Sequence, residues 1–81
     1  MNKLTEDEKV ILRNLPEHFK WIARDKEGFL DIFVAKPLKS ETVWMPTEIN
    51  EWTDITIFDH LFSFVKWEDE EPYLIEDLLK M

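Results

Sequence analysis

The sequence predicts a small α+β domain. An antiparallel sheet of about three strands, over about 19–25, 28–36 and 63–68, carries an N-terminal helix over about 6–14 and a C-terminal helix over about 72–80. Three observations lead there. A capping box at Thr5 opens an apolar stripe at helical spacing. Two apolar runs flank the turn Asp25-Lys26-Glu27-Gly28, which holds the only glycine of the chain. The segment Phe62 to Leu79 then passes from an aromatic run, through four consecutive carboxylates and a proline, into a second amphipathic stretch.

A length of 81 residues makes one domain, 1–81, because a single core needs on the order of 50 to 200 residues. Without cysteine, neither disulfides nor thiolate metal sites brace so short a chain, so apolar packing must hold it. Ten Trp and Phe residues supply that packing, since each large ring buries much area. No run approaches the roughly 18 apolar residues of a membrane span, and the first ten residues lack the apolar region of a secretory signal. The expected setting is cytoplasmic.

The first helix follows from local chemistry. Thr5 can cap the amide of Glu8 while the Glu8 carboxylate reaches back to the amide of Thr5. Glu6, Asp7 and Glu8 complement the positive end of the helix dipole. Leu4, Ile11, Leu12 and Leu15 share one face, and Pro16 ends the helix. Next, Phe19 to Ala35 reads as a β-hairpin whose turn places Gly28 in the left-handed region. Its second strand is apolar on both faces except at Asp31, as a covered strand would be. Asp31 is expected to sit at an edge or to pair with a cross-strand Lys or Arg such as Lys20 or Arg24, a functional carboxylate being the alternative.

Residues 37–56 keep no period. Glu41 to Met45 is a candidate short strand, and Trp44 and Trp52 flank a loop. Thr56 to Asp59 resembles a short cap, with Phe58, Leu61 and Phe62 facing inward. Ser63 to Trp67 is β-prone and is assigned as the third strand, with Trp21, Phe33, Phe64 and Trp67 sharing one core. Pro72 suits the first position of the last helix, whose Ile75, Leu78 and Leu79 form the inner face.

Residues 1–40 hold eight Lys/Arg against seven Asp/Glu, and residues 41–81 hold two against eleven, so the net charge of −8 divides into +1 on the first half and −9 on the second. Such a half-chain opposes direct binding to nucleic-acid phosphates, which requires Lys and Arg. It favours a protein partner with a basic surface. The candidate interaction surface is therefore Trp44 and Trp52, as aromatic anchors, with the acidic run Glu68, Asp69, Glu70 and Glu71.

No catalytic residue, metal ligand or cofactor site is assigned. His18 and His60 lie in no motif, one glycine cannot make a phosphate loop, and an acid–base carboxylate pair would need a cleft that 81 residues have little room for. The chain is read as no enzyme. The acidic run lacks the alternating ligands and Gly of a calcium loop.

The stretches LPEHFKWIARDKEGFL and KWEDEEPYLIEDLL resemble small uncharacterised proteins encoded by phages and prophages of Gram-positive bacteria. The resemblance rests on Trp21, Ala23, Arg24 and Asp25, and on Trp67 to Pro72 followed by Ile75, Leu78 and Leu79. It implies a setting, the cytoplasm of a host bacterium, and no assigned activity. The expected function is a small acidic protein-interaction module. The alternatives are divalent-metal binding through 68–71, a DNA-mimic inhibitor, and a self-associating structural component.

Overall fold

A computed structural model describes residues 3–47 and 52–80. Helix α1 (Glu6–Arg13) starts on the capping box as its sequence dictates, with Thr5 Oγ1 accepting from Glu8 N and Glu8 Oε1 from Thr5 N. Strands β1 (Trp21–Arg24) and β2 (Leu30–Phe33) form the antiparallel hairpin, with Ile22 opposite Ile32. At its turn Gly28 has a φ of 98°, which glycine adopts at no steric cost.

Two further pairings complete the β-structure, one of them using Trp44–Met45 from within the candidate strand Glu41 to Met45. A two-stranded ribbon joins β3 (Leu38–Lys39) to β4 (Trp44–Met45). The main sheet has four strands in the order β5-β2-β1-β6, where β5 is Trp52–Asp54 and β6 is Tyr73–Leu74. Helix α2 (Ile75–Lys80) follows directly. Among the described residues no helix is long and apolar enough to cross a membrane.

Three expectations are corrected here. Residues 63–68 are not a strand; they turn, with Val65 N donating to Phe62 O and Asp69 N to Lys66 O. The cause is Phe62, whose φ of 56° is a left-handed conformation that breaks any alternation through the aromatic run. The last helix begins at Ile75 rather than Pro72, because Tyr73 and Leu74 pair with Trp21 and Ile22 first. The sheet accordingly has four strands instead of about three, its outer members supplied by β5 and β6.

Two charged side chains hold the strained Phe62. Its N–H donates to the buried carboxylate of Glu8, the same group that closes the capping box. Its carbonyl accepts from Arg24 Nη2 at 3.2 Å. Arg24 uses all five N–H donors on carbonyls: Nε on Val65 O, Nη1 on Gly28 O and Asp59 O, Nη2 on Leu61 O and Phe62 O, at 2.8–3.2 Å. Loop 59–65 is thus fastened to β1 by one guanidinium, and the buried carbonyls have the partners they require.

The sheet separates two apolar clusters. Ile22, Leu30 and Ile32 point to one side and join Leu12, Phe62, Val65 and Leu78 under the helices. On the other side Ala23, Phe33 and Trp44 form a smaller cluster, with Trp21 and Trp67 against it. The predicted common core of four rings therefore divides: Trp21, Phe33 and Trp67 lie in the second cluster and Phe64 packs on the first. Trp21 and Phe33 occupy facing register positions, whereas Phe64 follows the left-handed Phe62 and is redirected.

Candidate functional site

The side of the sheet away from the helices is only partly closed. Its cover is the β3–β4 ribbon, pinned through Trp44, whose ring is 5% exposed and whose Nε1 donates to Arg24 O at 3.2 Å. Trp67 meets Trp44 edge to face, with centroids 6.4 Å apart. Lys39 Nζ lies 4.3 Å from the Trp67 ring centroid and donates to Trp67 O and Asp69 O. This lysine ties the ribbon to the start of the acidic run.

Beside that cover lies an open groove of about 310 Å³. Strand alternation builds it. Leu30 and Ile32 face the helices, so Asp31 between them must face the other way. There it sits opposite Ala23 on β1, whose side chain is small, and opposite Asp54 on β5. Asp25, at the hairpin turn, completes three carboxylates around the groove; its Oδ1 accepts from Glu27 N and Phe29 N. Burial, then the charge of Asp54, then that of Asp25, push the Asp31 carboxyl up to about 7.

The expected pairing of Asp31 with Lys20 or Arg24 does not occur. Arg24 points to the opposite side of the sheet, where carbonyls occupy it, and the cross-strand neighbour of Asp31 is an acid. So short a chain is expected to have little room for a cleft beside its core, and this groove, with the raised Asp31 carboxyl in it, occupies that room. It is possible because β3 and β4, of two residues each, are too short to cover the sheet.

The walls are apolar and exposed. Among the described residues seven large apolar side chains stand well out of the fold, and four of them, Phe29, Val43, Met45 and Trp52, line this one groove. Every charged residue lining it is an acid.

The predicted surface residues come together only in part: Trp44 and Trp52 both line the groove, and the acidic run lies apart from it. Trp52 stands 45% exposed at the groove, on an outer strand. Trp44, expected as an anchor for a partner, is buried and anchors the ribbon instead, because its indole N–H finds a backbone acceptor inside. None of Glu68, Asp69, Glu70 and Glu71 lines the groove. Asp69 Oδ2 accepts from Lys66 N and so caps its own turn, and Glu71 pairs with Lys36 at 3.2 Å, while Glu68 and Glu70 are exposed. Among the described residues no cluster of three or more acids and histidines is placed to hold a metal ion.

Asp31 has a sequence signature as the one charged residue in an apolar strand. Asp54 has none, since its partner lies 23 positions away in sequence across an irregular stretch. A larger hollow, about 490 Å³ between the end of α1 and α2, mixes Arg13, Lys20 and Lys80 with Glu17 and Glu76, and Lys80 is already paired with Glu76 at 3.0 Å. It presents no charge of one sign. Comparison with protein-family models, curated proteins and solved structures found no match.

Proposed function

We propose that this chain is a small acidic protein-interaction module that binds a partner with a basic surface. The observation that carries this reading is the groove of Asp31 and Asp54, where exposed apolar side chains surround carboxylates and no basic residue among those described. The apolar walls supply desolvated contact area and the carboxylates supply sign selectivity and steering. The setting proposed with it is the cytoplasm of a Gram-positive host, as the tail pattern implies.

A second reading has one observation behind it. A carboxyl raised to about 7 beside another acid is the arrangement acid–base catalysis uses. Binding is placed ahead of catalysis because the rest of the described lining is apolar and holds no nucleophile beyond the carboxylates.

Affinity capture from a Gram-positive lysate, with the wild-type chain and with Trp52→Ala, tests the first reading. A basic protein should be retained by the wild type, released by salt and lost with Trp52→Ala. If every retained protein is retained equally by Trp52→Ala, the groove is not the interaction surface.

A further inference from the structure

Resting on that reading, we propose that the groove receives an arginine side chain of the partner, its guanidinium held by Asp31 and Asp54 and its flat face against Trp52.

Three features of the groove select this occupant. First, Asp31 and Asp54 are directly opposed on neighbouring antiparallel strands, which places such side chains about 4.5 to 5.5 Å apart at Cβ. Two carboxylates at that spacing offer several acceptor oxygens to one cation, and guanidinium has donors on both edges of its fork. Second, Trp52, Phe29 and Met45 make walls that dehydrate what enters. Guanidinium is the more weakly hydrated basic group and stacks on indole; an ammonium must give up tightly held water to fit the same place. Third, among the described residues no basic side chain lines the groove: Arg24 of β1 is consumed on the other side of the sheet, and Asp54 has only the backbone N–H of Thr56 on its Oδ1. An incoming cation supplies what the fold leaves out.

Binding on these terms is linked to proton release. The groups facing Asp31 are Asp54 on β5 and Asp25 at the turn; β4 contributes no titratable side chain to the lining. With its carboxyl pushed up to about 7, Asp31 is largely protonated at pH 6 and must ionise to accept a guanidinium. If only the ionised form binds, the apparent affinity scales with its population, about tenfold higher at pH 8 than at pH 6. The arginine itself titrates nowhere in this range.

The test uses the full chain, isotope-labelled, titrated by NMR with a capped Gly-Leu-Arg-Leu-Gly peptide and with its lysine and citrulline counterparts. The arginine peptide should move the amides of Asp31 and Asp54 and the indole of Trp52. It should bind about tenfold more tightly at pH 8 than at pH 6. Citrulline, the same shape without charge, should bind at least about tenfold more weakly than arginine, and lysine should fall between. Asp31→Asn, checked to keep its folded spectrum, should lose the pH dependence. Equal binding of citrulline, equal binding of lysine, shifts centred on Glu68 to Glu71, or an affinity flat in pH would each overturn the assignment. The two readings fail separately. A lysate partner that depends on Trp52, with no preference for the arginine peptide, sinks the arginine and keeps the interaction module. A preference for the arginine peptide, with no partner that depends on Trp52, does the reverse.

Discussion

The two sides of the central sheet are built by different means. On the helix side Ile22, Leu30 and Ile32 are fully buried, α1 and α2 lie over them, and charged groups serve only backbone: Glu8 holds the amide of Phe62 and Arg24 holds five carbonyls. On the ribbon side a two-stranded piece leaves a groove open, and among the described residues the carboxylates there face one another with no basic residue in the lining. In the first arrangement both charged groups, Glu8 and Arg24, are met by backbone partners inside the fold. In the second, Asp54 Oδ1 accepts from Thr56 N and Asp25 Oδ1 from Glu27 N and Phe29 N, while Asp31 faces acids alone beside exposed apolar walls, which costs stability. The helix side is closed by the chain itself, and the ribbon side keeps an open groove.

The comparison can be broken most sharply at Arg24. Arg24→Met keeps the length of the side chain but abandons five carbonyls and the clamp on loop 59–65, at an expected cost of about 3 to 5 kcal/mol. For a domain of this size that is most of its stability, so the variant should show no cooperative thermal transition. A melt within a few degrees of wild type would show that the helix side stands without its polar clamp.

Trp44→Ala attacks the other side. Loss of a buried indole is expected to cost about 3 to 4 kcal/mol. The loss should be local. Hydrogen exchange should lose protection at Ser40 N, bonded to Val43 O across the ribbon, before it does at Ile22 and Ile32 in the main sheet. Simultaneous loss at both would mean that the two sides unfold as one unit.

Asp31→Asn sharpens the contrast by its sign. A carboxyl whose folded pKa is raised from 3.8 to about 7 binds its proton more tightly in the folded state, so stability falls as pH rises between those values. The amide removes that loss. The variant should be more stable than wild type by about 1 to 2 kcal/mol above pH 7, after screening at a half-exposed group, and by nothing near pH 4. Denaturant titrations at pH 4, 6 and 8 read this directly. A variant less stable than wild type at pH 8 would place a favourable partner on Asp31.

The smallest effect is expected in the acidic run. Glu70→Gln with Glu71→Gln removes one exposed pair, Glu71 with Lys36, and relieves mutual repulsion among neighbours. The net change should stay within about 0.5 kcal/mol and shrink in salt. A loss above about 2 kcal/mol would make the run a structural device of the ribbon side.

What the sequence by itself determines here is what operates over three or four residues. Thr5 and Glu8 cap one another because helix geometry brings positions three apart together, and the turn closed by Gly28 needs a left-handed residue wherever the hairpin packs. The alternation of β1 and β2 likewise follows from their own residues. Only the tertiary structure decides the rest. Strands of two or three residues, such as β5 and β6, are too short to show a period, so the β-prone run 63–68 is the stronger candidate on paper until Phe62 turns the chain. Arg24 could meet a carboxylate or a carbonyl, and every residue has a carbonyl, so its five partners leave no mark in the composition of 59–65. Trp44 and Trp52 look alike in a stretch without period; the ribbon buries one, and the outer strand leaves the other beside two acids. The facing of Asp31 and Asp54 is a matter of register between strands far apart in the chain, and register is set by packing of the whole sheet, which no local pattern encodes.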